Sequence, residues 1–325
     1  MINTISRKER VRQAVAHQAT DIVPYHVRFQ NYADVAAFFQ NADFDEQFGN
    51  HFTLFRPDFA TLMPDGQYWE FQAPIDGQHT YIDETNVASY PFPDPEDPRC
   101  FAQAEAHLAR FHERFVFVDI SRTLFERAYD LRGYQQILED LALNPELVHT
   151  LFTRLTEFAV RMIEQSVGHG FDGVRFGDDW GTQHGLLMSP RHWQEFIRPY
   201  MQQMFEAAQR AGYVTLLHSC GNIEAVIPDL IELGLDILEP IQPEVIDVYK
   251  VKREYGRQIA FWGGVSLQQV LAHGTVDDVE REVRDKMRLL GQDGGYICGP
   301  SHTITRDVPM ENTLRLLDIL RNQPG

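Results

Sequence analysis

His218, Cys220 and Cys298 carry side chains of the kinds that zinc commonly binds, at positions where they could share one ion. Zinc binds imidazole nitrogen and thiolate sulfur, and a catalytic zinc usually has three protein ligands and one exchangeable position. His218 and Cys220 are one residue apart at the predicted end of a strand, where residues i and i+2 point to the same side. Cys298 ends a later predicted strand. The pattern favours a catalytic zinc site, although a hydrogen-bonded histidine and two buried thiols used for packing would fit it as well.

A zinc site of this kind could perform either of two reactions. A zinc-bound water can act as the nucleophile in a hydrolysis. Alternatively, the metal can bind a substrate thiol, which loses its proton near neutral pH and can then attack an electrophilic methyl group. The ligand types alone leave both reactions open.

Further polar residues follow other predicted strands and are candidates for the same site. Glu239 is a possible fourth zinc ligand or a base, and the pair Asp178 and Asp179 could orient a substrate or support His218. His302 is a further catalytic candidate because it lies four residues after Cys298. The predicted substrate-binding residues are Arg28, Trp180 and Gln183.

Strand and helix patterns alternate through most of the chain, which is typical of a parallel sheet. Predicted strands include 115–118, 172–176, 213–217, 236–238, 258–262 and 295–297, and helical patterns separate them. We find no Gly-rich phosphate-binding turn, which an open doubly wound sheet usually carries. The polar residues instead follow the carboxyl ends of several strands, as in a (β/α)8 TIM barrel. We therefore predict an α/β protein with this barrel fold.

The N-terminal part of the sequence is less regular. Ser6 to Glu9 is typical of a capping box before a helix, and residues 22–29 alternate as a strand does. Residues of about 41–100 contain Gly, Asp and Pro at short intervals, which predicts a loop- and hairpin-rich insertion. We expect residues 1–325 to form a single domain with an N-terminal helical and hairpin extension.

Composition limits the possible partners and the cellular compartment. The 325 residues are 43% hydrophobic and carry a net charge of −18. A strongly acidic surface repels phosphate backbones and anionic lipid, so we expect neither nucleic acid nor membrane as a partner. The sequence shows no signal-peptide pattern, and its three cysteines suit a reducing compartment. We expect a cytoplasmic protein.

Several stretches of the sequence resemble the uroporphyrinogen decarboxylase superfamily over nearly the whole chain. They include Glu126-Arg127-Ala128-Tyr129-Asp130-Leu131-Arg132-Gly133, Gly177-Asp178-Asp179-Trp180-Gly181, His218-Ser219-Cys220-Gly221-Asn222 and Trp262-Gly263-Gly264-Val265. The resemblance implies a (β/α)8 barrel with one of two activities. One branch decarboxylates an anionic porphyrinogen without a cofactor. The other transfers a methyl group from a methylated corrinoid protein to a thiol such as coenzyme M, or in some relatives to tetrahydrofolate.

The resemblance is stronger to the thiol-methylating branch, whose members bind zinc through a His-x-Cys motif and a distant cysteine near the C-terminus. By that comparison His218, Cys220 and Cys298 are the zinc ligands, and the cofactors are zinc and methylcobalamin presented by a partner corrinoid protein. The decarboxylase branch has an Arg-Gln-Ala-Gly-Arg loop, for which this sequence has Val27-Arg28-Phe29-Gln30-Asn31. Its Gly-His-Gly appears here as Ser301-His302-Thr303. Since a substrate with many carboxylates needs several arginines, the decarboxylase activity is the less favoured alternative.

Overall fold

The computed structural model describes residues 5–30, 48–58 and 80–324. The protein is an α/β protein with parallel strands, as predicted. Its chain divides into two compact units: the first comprises Met1–Thr53, Phe111–Phe115 and Asp236–Gly325, and the second comprises Leu54–Arg110 and Val116–Leu235. Of the predicted insertion at 41–100, residues 41–47 and 59–79 lie outside the described residues. None of the helices in the described ranges has the length and hydropathy of a membrane-spanning segment.

The second unit is built around three parallel strands in chain order. These are β2 (Phe115–Ser121), β3 (Gly173–Gly177) and β4 (Val214–His218), and the short strand β1 (Phe52–Phe55) comes before them in the chain. The register aligns Ser121, Gly177 and His218 across the three strands. Aligned residues point to the same face of a parallel sheet, so the register determines which side chains can meet.

Helices follow each of these strands. The bounds are α2 (Ala104–Arg110), α3 (Phe125–Arg132), α4 (Tyr134–Leu143), α5 (Pro145–Ser166), α6 (Pro190–His192), α7 (Arg198–Arg210) and α8 (Ile227–Glu232). A π-helical turn, Trp193–Ile197, separates α6 from α7. Pro145 occupies the first turn of α5, where its missing N–H costs no helical hydrogen bond. The apolar face of α5 is buried, which explains why its sequence is periodic.

The first unit contains the other three strands, which are also parallel and in chain order. They are β5 (Ile237–Ile241), β6 (Ala260–Val265) and β7 (Tyr296–Pro300). The helices are α1 (Arg7–Val15), α9 (Val248–Tyr255), α10 (Val276–Leu290) and α11 (Met310–Arg321). The serine of the predicted capping box, Ser6, does accept the backbone N–H of Glu9.

The N-terminal segment predicted as a strand at 22–29 lies alongside β7 in the first unit. Tyr25 forms a parallel bridge with Cys298, and Phe29 forms one with Ile304. Within the described residues 22–30 these bridges stay isolated, because Pro24 has no backbone N–H to donate and Gln30 lies in a bend. The segment nevertheless places Arg28 beside the strands of its own unit.

Candidate metal centre

His218 and Cys220 lie together at the end of β4. The imidazole of His218 is 8% exposed, and its Nε2 is 3.4 Å from the Cys220 sulfur. Zinc–nitrogen and zinc–sulfur bonds of about 2.05 and 2.3 Å at a tetrahedral angle separate the two ligand atoms by about 3.6 Å. The observed separation is close to this value. The pair can therefore form one edge of a tetrahedral zinc site.

Asp179 supports both of these side chains. Its Oδ1 accepts the backbone N–H of Cys220 at 2.8 Å and lies 3.7 Å from Nε2 of His218. The first contact sets the position of the Cys220 backbone. The negative charge of Asp179 stabilises positive charge on the His218 imidazole or on an ion bound to it. Asp179 therefore positions the Cys220 backbone and faces His218, and its role in supporting a metal ligand stays a prediction.

The loop after β3 also holds the loop after β4 through backbone contacts. The backbone N–H of Trp180 donates to Ser219 Oγ at 3.2 Å, and that of Asn222 donates to the Thr182 carbonyl at 2.8 Å. Gly181 lies so close that a Cβ there would be 2.5 Å from the Cys220 carbonyl oxygen. Only glycine permits this approach, because the opposing atoms are backbone and cannot move aside cheaply.

Gly181→Ala should therefore displace the Cys220 loop and weaken zinc binding. We expect the zinc affinity to fall by about 10-fold to 100-fold, comparable with the loss of an outer-shell partner of a metal site. Metal titration of the purified variant measures the change, and circular dichroism checks that the chain still folds. A folded variant with the zinc affinity of the wild type would show that the close approach of the two loops does not position Cys220.

Asp178 was predicted as a catalytic residue, but the structure gives it another role. It is fully buried and accepts four hydrogen bonds, from the backbone N–H groups of Leu124, Phe125 and Glu126 and from the Trp180 indole N–H. Burial and the charge of Glu126 raise its pKa to about 7, and these hydrogen bonds oppose the increase. Leu124 provides no side-chain cap for α3, so Asp178 caps that helix from a distant segment. The carboxylate oxygens of Asp178 are therefore engaged in hydrogen bonds that stabilise the fold.

Two of the predicted substrate-binding residues, Trp180 and Gln183, also lie near this loop. Trp180 is fully buried, bonded to Asp178 and packed 5.6 Å from the ring of Trp193. It is therefore part of the core, and the predicted substrate contact is not supported. Gln183 is exposed in the turn that follows.

The sequence did not reveal Glu126 as part of this region. Its Oε1 accepts hydrogen bonds from Arg122 at 3.2 Å and from the Tyr129 hydroxyl at 3.1 Å. Burial, followed by the charge of Asp179, raises the pKa of Glu126, whereas Arg122 and His218 oppose the increase. The sequence did hold one clue to this role, because Glu126 is an acidic residue at the start of the helix that follows the strand predicted at 115–118.

In the first unit, Arg28 and Glu239 form an ion pair. Arg28 donates to Glu239 Oε1 at 2.8 Å, and the Glu239 side chain is 2% exposed. The guanidinium carbon of Arg28 lies 5.1 Å from the centre of the Trp262 ring. The pairing places two predicted site residues together, and it leaves Arg28 engaged by Glu239 and Trp262.

The predicted zinc ligand Cys298 lies inside β7 and faces the other way. The next residue, Gly299, approaches the Trp262 indole nitrogen, so Cys298 points to the opposite face of the strand from the Arg28–Glu239 pair. Its thiol is fully buried and hydrogen-bonded with Tyr296, and burial raises its pKa to about 12. Since metal binding requires the thiolate, this placement argues against a ligand role for Cys298. His302, two residues beyond β7, is exposed.

Residues 122–323 match the family model described as "Uroporphyrinogen decarboxylase (URO-D)". The chain belongs to the uroporphyrinogen decarboxylase family. The matched range contains His218, Cys220, Glu239 and His302, whereas Arg28 lies before it. The superfamily predicted from the sequence is thereby confirmed.

Relatives of this URO-D family chain include proteins named as decarboxylases and a protein named as a methyltransferase. A uroporphyrinogen decarboxylase of Vesicomyosocius okutanii is 28% identical over 178 residues, covering 54% of this chain and 49% of the relative. The methylcobamide:CoM methyltransferase MtaA of Methanosarcina barkeri is 27% identical over 162 residues, covering 50% and 45%. The chain thus spans about half the length of the curated relatives it matches.

A solved structure shares the fold of this URO-D family chain. A methyltransferase from Methanosarcina mazei superposes with a TM-score of 0.75 at 17% sequence identity, covering 98% of each chain. At this identity the superposition shows a common fold.

Proposed function

We propose that this protein is a zinc-dependent methyltransferase that moves a methyl group from a methylated corrinoid protein to a thiol. The observation that carries the proposal is the 3.4 Å separation of His218 Nε2 and Cys220 Sγ at the end of β4. A strand-end imidazole and thiol at a zinc-ligand separation, with Asp179 positioned behind them, suit metal binding better than core packing. The methyltransferase relatives are consistent with this choice within the family.

Each residue of the centre has a defined task under this proposal. His218 and Cys220 bind zinc, and Asp179 keeps both ligands in place. Zinc, when bound, supplies the positive charge that keeps an acceptor thiol deprotonated. With the thiol held there, an S–CH3 bond would form as the cobalt–carbon bond of the methylated corrinoid breaks, and the electron pair of the broken bond would remain on the corrinoid. Glu239, paired with Arg28 and almost fully buried, accepts the thiol proton or occupies the exchangeable ligand position.

We propose His302 as the third protein ligand in place of Cys298. His302 follows the carboxyl end of β7 and has an exposed imidazole, whereas the thiol of Cys298 is buried against Tyr296 and lies in the field of Lys286 and Glu282 on α10. A neutral imidazole binds zinc without the cost of ionising a buried thiol. A His2Cys set still leaves one position for the acceptor.

The remaining parts of the proposal concern architecture and surroundings. We propose a (β/α)8 barrel formed by a single domain with an N-terminal extension, which the superposition on the methyltransferase supports. The corrinoid cofactor would arrive on a partner protein, and the acceptor would be a small thiol. A cytoplasmic location without nucleic-acid or membrane partners is consistent with the net charge of −18.

Decarboxylation of a porphyrinogen is the second candidate, because several relatives of this chain are named as uroporphyrinogen decarboxylases. One observation weighs against it. Arg28, the one arginine in the stretch that corresponds to the substrate loop, is already paired with Glu239 and stacked on Trp262. Several fixed arginines would be needed to bind a polycarboxylate substrate.

Zinc-loaded protein should demethylate methylcobalamin in the presence of a thiol, and removal of zinc by a chelator should lower the rate at least about 30-fold. The reason is that only a few per cent of a free thiol is ionised at pH 7. The absorbance of the cobalamin measures the rate, and re-addition of zinc is the control. Equal rates with and without zinc, activity with tetrahydrofolate only, or formation of coproporphyrinogen from uroporphyrinogen would each contradict the proposal.

A further inference from the structure

A π-helical turn follows β6 in the first unit, and side chains cap its amide groups. The turn comprises Leu267–Leu271 and begins after Ser266, which is 5% exposed. The first N–H groups of a helix have no partner within the helix, so other groups must accept their hydrogen bonds. The Ser266 hydroxyl oxygen accepts two of them, from Gln269 and Val270, each at 3.2 Å. Short π-helical segments are frequent at functional sites, which makes this turn a candidate for such a role.

Two carboxylates hold Ser266 in this position. Glu244, after β5, accepts hydrogen bonds from the Ser266 hydroxyl at 2.6 Å and from the backbone N–H of Gln268 at 3.1 Å. Glu282 on α10 accepts the backbone N–H of Ser266 at 3.0 Å, and the Lys286 ammonium lies 3.9 Å from the same carboxylate. Hydrogen bonds to a carboxylate are stronger than those between neutral groups. The residues Glu244, Ser266 and Glu282, which we call the Ser266 cluster, therefore fix the start of the π-helical turn.

The π-helical turn is bonded to the residue that follows β7. The backbone N–H of Leu267 donates to Ser301 Oγ at 3.2 Å, and the backbone N–H of Ser301 donates to the Val265 carbonyl at 2.8 Å. Because Ser301 is 1% exposed, water does not compete for these bonds. The end of β7 is thus attached to the end of β6 through one backbone bond and one side-chain bond.

His302, the proposed third metal ligand, directly follows Ser301 and is exposed. On its other side, Ile304 donates its backbone N–H to the Arg28 carbonyl at 2.8 Å and forms a parallel bridge with Phe29. The backbone on both sides of His302 is therefore anchored within the first unit. A ligand whose backbone is already fixed loses less conformational entropy when it binds an ion.

We propose that Ser301 is a positioning residue for His302, and that the Ser266 cluster sets the place of Ser301 through the π-helical turn. The assignment rests on the proposed function, because it takes His302 as a metal ligand. It gives a role to the residues directly after 262–265, a stretch that carried part of the resemblance to the family. Ser301 and the Ser266 cluster would not contact the ion. They would hold the imidazole of His302 where the ion binds and so lower the cost of binding.

Ser301→Ala should lower the zinc affinity by about 10-fold to 100-fold, as loss of an outer-shell partner of a metal site does. In a His302→Ala background the same substitution should change the remaining affinity by less than about 2-fold, because residues that act through one contact are not additive. Titration with zinc against a competing chelator measures both effects. Ser166→Ala in the second unit is the matched control and should leave the affinity unchanged. That serine is also fully buried, and it is hydrogen-bonded to the Ile163 carbonyl and the Tyr213 hydroxyl.

Substitutions of Glu244 test the same contacts one step further from His302, and they remain informative if Ser301→Ala fails to fold. Glu244→Gln keeps a side-chain oxygen that accepts the Ser266 and Gln268 bonds, so its zinc affinity should stay within about 3-fold of the wild type. Glu244→Ala removes the acceptor and should lower the affinity about 10-fold. An equal loss of affinity in Ser301→Ala with and without His302 would show a general structural effect and overturn the positioning role.

Hydrogen exchange of the zinc-free protein separates failure of this assignment from failure of the proposed ligand set. The backbone amide of Leu267 should exchange at least about 10-fold faster in Ser301→Ala than in the wild type or in Ser166→Ala, because it loses its acceptor. Faster exchange together with full zinc retention in His302→Ala would overturn the ligand role of His302 and leave the anchoring of the loop standing. Unchanged exchange, or unchanged zinc affinity in Ser301→Ala while His302→Ala loses zinc, would overturn the positioning role of Ser301.

Discussion

Cys220→Ser or His218→Ala should lower the zinc affinity of the protein by more than about 100-fold. Loss of an outer-shell partner costs a metal site about 10-fold to 100-fold, and loss of a direct ligand removes one of a few strong bonds. Asp179 would still hold the loop, so the variant should fold and fail mainly in metal binding. Zinc content after dialysis against a competing chelator measures the effect.

The same measurement decides between the two candidates for the third ligand. His302→Ala should lose zinc as the other ligand variants do, whereas Cys298→Ser should keep about one zinc per chain. Cys100→Ser is a further control, because that thiol is also buried but lies in the second unit, hydrogen-bonded to the Asp94 carbonyl. Zinc loss in Cys298→Ser with retention in His302→Ala would restore the ligand set predicted from the sequence.

Two adjacent carboxylates should respond in opposite ways to substitution. Asp178→Ala would leave three backbone N–H groups of α3 and the Trp180 indole N–H buried without their acceptor. Each such group costs about 1–3 kcal/mol, and with partial relaxation we expect the free energy of unfolding to fall by roughly 3–5 kcal/mol. Urea denaturation of the zinc-free protein measures this loss.

Asp179→Asn is the matched control for Asp178→Ala. Its side chain is 34% exposed and its charge faces His218, so we expect a stability change below about 1 kcal/mol. The zinc affinity should instead fall by about 10-fold to 100-fold. If Asp178→Ala proved as stable as the wild type, or if Asp179→Asn unfolded as readily as Asp178→Ala, the division of roles between the two residues would be wrong.

Periodicity was sufficient to predict most of the helices and strands. The α10 helix occupies 276–290, between the predicted strands 258–262 and 295–297, and the strand predicted at 172–176 was misplaced by one residue. Such patterns are local, because the core face of each element repeats within the element itself. The pair His218 and Cys220 was predicted for the same reason, since one residue separates them.

The placement of Cys298 differs from the sequence prediction for a specific physical reason. The sequence indicated a strand at 295–297 that ended before Cys298, whereas β7 covers 296–300 and contains it. Side chains alternate across a strand, so the neighbours of Cys298 point toward Trp262 while Cys298 points toward α10. Which face of the sheet each side chain of a strand occupies depends on the neighbouring strands, and a short apolar stretch of sequence does not reveal it.

The other missed features depend on contacts between distant parts of the chain. Asp178 bonds to backbone groups 52 to 54 residues earlier, and Asp119 meets Arg56 across 63 residues. The sequence held a clue at Asp119 and Arg175, because charged residues inside apolar strands are rarely buried unless they are paired. It did not indicate which residues would pair.

The bonds that join the loops after β3 and β4 affect how the protein behaves before any ion binds. The Cys220 and Asn222 amides donate to Asp179 and Thr182, and neither acceptor is a proposed metal ligand, so these bonds shape the coordinating loop independently of the metal. In zinc fingers, by contrast, metal capture and chain folding are a single event. Here an ion would bind to and dissociate from a preformed loop while the surrounding chain stays folded. The loop would rearrange little on metal binding, and its fixed geometry would favour ions that prefer that coordination.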